Sequence, residues 1–204
     1  LDKDCCVDFD RIFAVSDETA GVFACVYPEC QQKLSVFHNL IDTETIRQKA
    51  LLPAEKSMHE GIRLLTVGRL TPQKGFDCAV YALKLLLEKQ YPVYWYIIGE
   101  GPEYGRLTQL ARSLHVEDHF IFLGMQTNPY PYFKMADFYI HATRFEDKSI
   151  AIQEAQVLGC AIAASDCSGN REQIVSGVDG LLCPFSPEGI ANAVEYLIEQ
   201  TVYT

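Results

Sequence analysis

The sequence predicts an α/β fold built on a doubly wound parallel sheet of the Rossmann-like kind, and two observations lead to this class. Strand and helix patterns alternate strictly from residue 61 onward. Several of the strands are apolar along their whole length, as expected for a sheet that helices cover on both faces. Right-handed crossovers then place a ligand site beyond the carboxyl ends of the strands.

The individual elements can be assigned in order from composition and apolar spacing. The strand candidates are residues 11–15, 33–37, 61–67, 92–98, 119–123, 136–141, 160–165 and 180–183. The helix candidates are residues 74–89, 103–115, 149–158 and 187–200. Residues 43–60 are polar and weakly helical. Residues 1–42 hold only two strand candidates and one short helix, which is too little for a domain, so we expect one domain over residues 43–204.

The composition is that of a globular protein, and it excludes several functions. The 204 residues are 49% hydrophobic and 22% charged, with a formal net charge of −10. A chain this acidic lacks the basic surface that binds nucleic acid, and no apolar run reaches the roughly 18 residues of a spanning helix. The eight cysteines include no C-x-x-C pair, so we expect reduced thiols, a cytoplasmic protein and no structural zinc. The chain begins LDKDCC without a methionine, which suggests a piece of a longer protein.

Two glutamates, Glu146 and Glu154, are the most informative residues. Glu146 stands just before a predicted helix, whose first N–H groups attract anions. Glu154 has apolar neighbours three and four residues away, so we expect it in the buried face with hydrogen-bond donors around it. Those neighbours are Ile150, Ala151, Val157 and Leu158. Together the two carboxylates and the helix start describe a sugar-nucleotide pocket. The alternative is that Glu154 pairs with a core arginine and that Glu146 is a solvated loop charge.

Two cations follow the strand 61–67, in the loop between Gly68 and Gly75. Arg69 and Lys74 lie at the start of a helix, beside glycines that let a ligand approach the backbone. This arrangement suits a diphosphate, although the spacing is not that of a P-loop. The alternative is that both are solvated loop charges.

The turn after the strand 92–98 imitates a dinucleotide fingerprint. It begins at Gly99, but it has one residue too many before its last glycine, and the next strand ends without an acidic residue. A dehydrogenase is therefore disfavoured, and a tight turn lining the pocket is the better interpretation. After the next strand, Gly124 and Met125 can present backbone groups to a nucleotide base, or they can form a simple turn.

Two further features stand at strand ends. His141 ends the strand 136–141 and faces the same crevice, although a lone histidine is more often packed or hydrogen-bonded than catalytic. The loop 166–172 can close the pocket floor with its Asp, Ser and Gly, but a helix N-cap is the favoured interpretation.

Taken in series, the loops resemble the C-terminal half of a family 4 (group 1) glycosyltransferase of the GT-B fold. The resemblance runs from about residue 10 to the end of the chain. Its motifs are VGRLTPQKG, YIIGEGPEYGRL, FIFLG, ADFYIHATRFEDKSIAIQEAQVLGCAIAASD, GNREQIVSGVDGLL and PEGIANAVEYL. The glutamate pair is the most specific of these motifs, and the segment around it is similar to enzymes of bacterial polysaccharide assembly.

The resemblance implies a role for each site residue. Arg69 and Lys74 would hold the donor diphosphate, Glu146 would lie beside the donor sugar, and Glu154 would take the ribose hydroxyls. The backbone at residues 148–150 would lie near the phosphates. Those residues are Lys148, Ser149 and Ile150.

The resemblance also implies the activity and the partners. It implies a retaining hexosyltransferase, with a nucleoside-diphosphate sugar as donor, UDP-sugar favoured, and with neither metal nor other cofactor. The acceptor would be a glycan or a lipid-linked glycan bound by an N-terminal domain, of which residues 1–42 would be a remnant or the junction. The full-length enzyme would be peripheral at the inner membrane face.

The sequence departs from the family pattern after the first glutamate and elsewhere. Asp147 and Lys148 replace the usual Gly-Phe, which leaves the sugar open, and Asn39-Leu40 replaces a usual Asn-Gly. The acceptor-binding domain is not in this chain. Two alternatives stay open: a sugar-nucleotide epimerase with the same donor half, and a nucleotide-binding module without catalysis.

Overall fold

The computed structural model describes Cys6 and residues 8–202. Cys5, predicted as a reduced thiol, lies outside the described residues, as do the outermost residues of the predicted ranges 1–42 and 43–204.

All eight predicted strands are present, and they form two parallel sheets. The first pair, β1 and β2, forms a small sheet of its own, and the other six strands form the main sheet in the order β5-β4-β3-β6-β7-β8. The strands are β1 Ile12–Ala14, β2 Leu34–Val36, β3 Ile62–Val67, β4 Val93–Ile98, β5 Phe120–Gly124, β6 Phe138–His141, β7 Ala161–Ser165 and β8 Leu181–Cys183. Every pairing within the two sheets is parallel, so the predicted fold class is confirmed.

The helices include the four predicted ones, each within three residues of its predicted ends. In chain order they are α1 Asp17–Val26, α2 Thr43–Lys49, α3 Phe76–Glu88, α4 Tyr104–Ser113, α5 Tyr130–Met135, α6 Ile150–Val157, α7 Ser168–Arg171 and α8 Pro187–Val202. Short 3₁₀ turns cover Pro28–Lys33 and Pro72–Lys74. The sequence did not predict α5, because its segment YPYFKM is rich in aromatics and contains a proline, neither of which is typical of a helix interior.

The main sheet reverses its winding between β3 and β6. These two strands are neighbours, with Leu64 opposite Phe138, yet β3 leads to β4 on one side and β6 leads to β7 on the other. Where two parallel strands send their connections in opposite directions, a crevice opens beyond their carboxyl ends. The fold therefore places a crevice after Val67 and His141.

Helices cover both faces of the main sheet, which explains the continuously apolar strands. On one face, side chains such as Leu64 and Trp95 pack with α3, α4 and α8. On the other face, Leu65 and Tyr139 pack with α5 and α6. Two buried polar side chains of this core are paired with each other: the Trp95 Nε1–H donates to the Thr66 hydroxyl at 2.9 Å, and that hydroxyl donates to a backbone carbonyl.

Candidate functional site

The crevice between β3 and β6 brings together the two loops that the sequence singled out. The first loop carries Lys74 and ends at Gly75, whose φ of 62° lies in the left-handed region. A Cβ at this glycine would collide with the carbonyl oxygen of Ala142 in the second loop. The close approach of the two loops therefore requires glycine here.

Lys74 and Glu146 meet in this crevice as an ion pair. The Lys74 Nζ donates to the Glu146 Oε2, and the His141 Nε2 lies 3.2 Å from the same oxygen. Burial by itself raises the pKa of Glu146, but the hydrogen bonds from His141 and Lys74 outweigh it and bring that pKa down to about 2. Glu146 is therefore an anion at neutral pH, with one oxygen bound by two donors.

His141 is the site residue that the sequence undervalued. It is 2% exposed, and its Nδ1 lies 3.2 Å from the Tyr139 hydroxyl. Burial lowers the pKa of His141, and its hydrogen bond with Glu146 only partly counters this, so the imidazole is neutral. It is packed and hydrogen-bonded, as the sequence suggested, but its partner is Glu146. The only indication of this contact in the sequence is that the histidine stands five residues before the glutamate.

Backbone and side-chain hydrogen bonds join the loop that carries Lys74 to the loop that carries Glu146, and the sequence did not predict them. The Gln73 carbonyl accepts from the Arg144 N–H at 2.8 Å and from the Thr143 hydroxyl at 3.1 Å. The Gln73 side-chain amide donates to the Phe145 carbonyl at 3.0 Å. These bonds hold the turn that carries Lys74 against the segment that carries Glu146.

The Arg144 guanidinium adds a second connection between the same loops. It donates to the Pro72 carbonyl at 2.6 Å and to both oxygens of Asp77 at 3.0 and 2.7 Å. Burial raises the pKa of Asp77, but the Arg144 hydrogen bond and charge lower it overall. Arg144 also lies 5.0 Å from the ring centroid of Phe185. We did not predict this arginine, because its partners lie some 70 residues away in the sequence.

Arg69 differs from these cations in that it has no partner. It is exposed, and none of the described residues accepts a hydrogen bond from its guanidinium or pairs with it. The loop that carries Arg69 lies against the turn that begins at Gly99. The two are so close that a Cβ at Gly99 would collide with the Gly68 carbonyl. Gly99 has a φ of 140°, a conformation open to glycine. The crevice thus has one free cation, Arg69, beside the bound Lys74.

The start of α6 presents fewer free N–H groups than predicted. The Ser149 N–H donates to the Gln173 Oε1 at 2.7 Å, and the Gln173 amide donates back to the Ser149 carbonyl at 2.9 Å. The first helical N–H groups, at Ile150 and Ala151, have no acceptor among the described residues. The Lys148 Nζ lies 3.0 Å from the His38 Nδ1, so that side chain is directed to the segment before the domain.

Glu154 is less deeply buried than its neighbours suggested. The helix packs on the sheet through Ile152 and Ala155, whereas Ile150, expected in the buried face, is 49% exposed. The prediction that this face is buried was wrong at Ile150, because the first turn of α6 is open to solvent. Glu154 accepts from the Tyr130 hydroxyl at 3.0 Å, and no arginine of the described chain pairs with it. Burial raises the pKa of Glu154, and the Tyr130 bond offsets this only in part.

A cavity of about 510 Å³ opens beside the crevice, at the carboxyl ends of β4 and β5. Its lining consists of Gly99, Glu100, Gly101, Tyr104, Phe122, Leu123 and Gly124. The glycine turn therefore lines a pocket, as the sequence suggested. Met125 is 65% exposed, and its N–H lies 3.4 Å from the Glu100 Oε1.

The loop 166–172 forms part of the floor beneath Glu146. It contains the helix α7, which begins after Cys167 without a side-chain cap. A Cβ at Gly169 would collide with the backbone carbonyls of Glu146 and Asp147. A helix starts where the N-cap was predicted, but no side chain caps it, and Gly169 packs against the Glu146 segment.

The described part of the chain contains neither a cluster of metal ligands nor a membrane-spanning helix. Within residues 6 and 8–202, no three His, Cys, Asp or Glu side chains come together as metal ligands would. In the same part of the chain, no helix combines the length and the apolar surface needed to cross a bilayer.

The protein class follows from the fold, the crevice and comparison with known proteins. Residues 45–202 match the family model of glycosyl transferases group 1, and the chain belongs to this family. Over 152 residues it is 33% identical to the N-acetylgalactosamine-N,N'-diacetylbacillosaminyl-diphospho-undecaprenol 4-alpha-N-acetylgalactosaminyltransferase of Campylobacter jejuni. That match covers 74% of this chain and 40% of the relative.

Solved structures show the same fold. A glycosyltransferase from Rickettsia africae superposes with a TM-score of 0.82 at 20% identity, covering 94% of this chain and 54% of that one. Anabaena HepE in complex with UDP superposes with a TM-score of 0.77 at 21% identity, covering 94% and 55%. The fold is that of the GT-B enzymes, and the chain is consistent with their C-terminal half. It spans about half the length of these solved chains.

Proposed function

We propose that this chain is the donor-binding part of a retaining hexosyltransferase that uses a UDP-sugar. The observation that carries the proposal is the charge arrangement in the crevice between β3 and β6. There the anionic Glu146 is held by Lys74, and Arg69 is left without a partner among the described residues. A glycosyl donor needs cations for its diphosphate and an anion near its sugar, and the crevice offers both side by side. The UDP in the Anabaena HepE structure supports uracil as the base.

The diphosphate would lie against Arg69, Lys74 and the start of α6. As the bond between the sugar C1 and the diphosphate oxygen breaks, the electron pair leaves with the phosphate, and negative charge grows there. Preorganised cations and N–H groups stabilise this charge more in the transition state than in the bound donor. Arg69 is free to move onto the phosphates, and the Ile150 and Ala151 N–H groups have no acceptor in the described chain. We propose that these groups act without a metal ion.

Glu146 would act on the sugar as an anion. Its pKa of about 2 means that it cannot donate a proton near neutral pH. Both of its donors bind Oε2, and no described residue donates to Oε1. The free oxygen is therefore available to a sugar hydroxyl, and the charge stabilises the positive character that develops at C1.

The nucleoside would occupy the cavity at the ends of β4 and β5, between the phosphates and the protein surface. Glu154, with the Tyr130 hydroxyl at 3.0 Å, would accept from the ribose hydroxyls. The backbone at Gly124 and Met125 would contact the base. A volume of about 510 Å³ falls within the usual range for a small-molecule site.

The acceptor, the biological role and the location of the enzyme are further parts of the proposal. The chain spans 40% of the Campylobacter relative, so we propose that an N-terminal domain binds a glycan or lipid-linked acceptor. One relative is named for lipopolysaccharide core biosynthesis and another for amylovoran biosynthesis, which supports a role in bacterial polysaccharide synthesis. Such a reaction would take place in the cytoplasm, with the enzyme peripheral at the inner membrane face.

The test is nucleotide binding by this chain and turnover by the complete enzyme. Calorimetry in the presence of a chelator should show UDP binding, and Arg69→Ala should weaken it about tenfold, as expected for one charge-assisted hydrogen bond. In the complete enzyme, Arg69→Ala and Lys74→Ala should each lower kcat by about 10²–10³.

Arg112→Ala is the matched control, because Arg112 is exposed on α4, away from the crevice. This substitution should change neither the affinity for UDP nor kcat. A wild-type chain that fails to bind UDP, or an unchanged kcat in both crevice variants, would refute the proposal.

A further inference from the structure

One buried group in the crevice has no part in the proposed chemistry so far. His141, at the end of β6, is 2% exposed and contacts Glu146 on one side and Tyr139 on the other. Tyr139 is fully buried. Its hydroxyl lies 3.2 Å from the His141 Nδ1, and the His141 Nε2 lies 3.2 Å from the Glu146 Oε2. The three side chains form one continuous line of hydrogen bonds from the core to the crevice.

We propose that Tyr139 and His141 are positioning residues, which hold Glu146 as an anion with a single free oxygen. This inference rests on the proposed function for its effect on sugar transfer. The arrangement of the three side chains can be tested without any donor.

The direction of the hydrogen bonds follows from the chemistry of each group. Burial raises the pKa of Tyr139, so the phenol keeps its proton and can donate it to Nδ1. A neutral imidazole carries one proton, and if Nδ1 accepts, that proton is on Nε2. The Nε2–H then donates to the Glu146 carboxylate. The opposite tautomer would direct a lone pair at the carboxylate, which is repulsive.

The surroundings of this line contain few other charges. The titratable or charged groups that face it lie on the loop after β3, on the segment after β6, on α6 and beside β7 and α7. They are Lys74, Glu146, Glu154, Cys160 and Cys167. Lys74 is the cation among them, and it already donates to the oxygen that His141 binds. The two donors therefore constrain the same oxygen from two directions.

The two hydrogen bonds to Oε2 determine which oxygen of Glu146 can contact a ligand. A carboxylate with one loosely bound oxygen rotates, and both oxygens can then meet a ligand. Here Oε2 is bound by Lys74 and His141, so only Oε1 is available in a defined position. One hydroxyl of the donor sugar can be recognised at that position.

The tautomer can be measured in this chain by ¹⁵N NMR of the histidine ring. We expect a neutral His141 with the proton on Nε2 in the wild type. Tyr139→Phe should keep the proton on Nε2, because the Glu146 carboxylate still selects it, but should shift the Nδ1 signal, because that nitrogen loses its hydrogen-bond donor. The matched control is Tyr132→Phe, since Tyr132 is equally buried and its hydroxyl binds Lys56 N–H and Gln126 elsewhere. A wild-type His141 that carries its proton on Nδ1, or a cationic one at neutral pH, would overturn the proposal.

The ionisation of Glu146 can be followed by ¹³C NMR of its carboxyl group, identified by its loss in Glu146→Gln. In the wild type it should stay ionised as the pH is lowered to about 4. In His141→Leu the midpoint should rise by about one to two pH units, since a hydrogen bond to a charged group is lost. His141→Gln keeps an N–H donor and should show a smaller rise. A thermal unfolding curve shows whether each variant is folded.

The complete enzyme gives a separate readout. His141→Leu should lower kcat about tenfold, in the range found for residues that orient a site group, with a smaller change in the donor KM. A Glu146 midpoint that does not move in His141→Leu would overturn the positioning role. A chain that shows the shift but does not bind UDP would overturn the proposed function instead.

Discussion

The two glutamates of the crevice differ in how they are held, and so in the direction in which their pKa values shift. Glu146 receives hydrogen bonds from Lys74 and His141, and its pKa falls to about 2. Glu154 receives one from the neutral Tyr130 hydroxyl, and burial raises its pKa. The first carboxylate is a permanent charge, whereas the second is a hydrogen-bond acceptor in a partly apolar wall. We expect their substitution to damage different steps.

Glu154→Gln should weaken UDP binding by about 1.5–3 kcal/mol, because an acceptor for the ribose hydroxyls is lost whatever sugar the nucleotide carries. Glu146→Gln should leave UDP affinity nearly unchanged and lower kcat, because in the proposed function that carboxylate would face the sugar and not the nucleotide. Titration of this chain with UDP, beside kinetics of the complete enzyme, measures both. Glu117→Gln, at an exposed site outside the crevice, is the control. Loss of UDP in Glu146→Gln with normal binding in Glu154→Gln would reverse the two roles.

The helices and strands bring together side chains that are far apart in sequence, and the loops between them do the final positioning. Gln73 joins the backbone of the two crevice loops, and Arg144 joins the second loop to Asp77 in the first turn of α3. Both bridges span some 70 residues of sequence. We infer that they keep Lys74 within reach of Glu146.

Arg144→Ala should lower kcat about tenfold in the complete enzyme, because the loop that carries Glu146 loses its ion pair with α3. The cost in stability should stay near 1 kcal/mol or below, since the Arg144 side chain is 37% exposed and solvent screens the pair. Steady-state kinetics and urea unfolding test both statements.

Arg63→Ala is the matched control for Arg144→Ala. Arg63, whose side chain is 34% exposed, makes a bidentate pair with Asp137. This pair links β3 to the start of β6, at the amino ends of the strands, whereas the crevice lies beyond their carboxyl ends. Its loss should cost similar stability and leave kcat unchanged. Equal losses of kcat in the two variants would show that Arg144 acts through stability alone.

The sequence predicted elements better than contacts, for physical reasons. The strands of the main sheet were predictable because burial on two faces leaves continuous apolar runs such as VYWYII in β4. The face of α6 was not, because its apolar spacing did not reveal that Ile150 lies at the open mouth. The Gln173 bonds to Ser149 and the Arg144 pair depend on rotamers and on distant loops, which no local pattern records. His141 was noticed, but its partner could not be known until β6 was placed.

At the scale of the whole molecule, the proposed function makes the sheet one wall of a reaction site. The crevice would hold the diphosphate and the sugar of the donor, and a second domain would bring the acceptor to it. The N-terminal segment contacts this wall through His38, near Lys148, and through the Glu18 N–H, which donates to Glu172. The division at residues 42 and 43 remains a prediction.

We predict that this chain binds UDP but transfers little or no sugar by itself. Positioning two reactants can contribute roughly 7–11 kcal/mol to barrier lowering, and that contribution requires the acceptor side. Calorimetry measures the binding, and a product assay with a UDP-sugar and glycan acceptors measures transfer. Robust transfer by the isolated chain would contradict this division of labour.

The pairing of β3 with β6 has a consequence for how the molecule folds. Leu64 lies opposite Phe138, and Lys74 is 72 residues from its partner Glu146. Contacts of such long sequence separation carry a large loop-closure entropy and form late relative to nearer ones. The β3–β4–β5 half can assemble from successive strands, whereas the crevice exists only once the second half has docked beside β3. A chain leaving the ribosome would therefore acquire the part of its core around β3, β4 and β5 before its binding site, and a nucleotide that fits the crevice would stabilise the fully folded state alone.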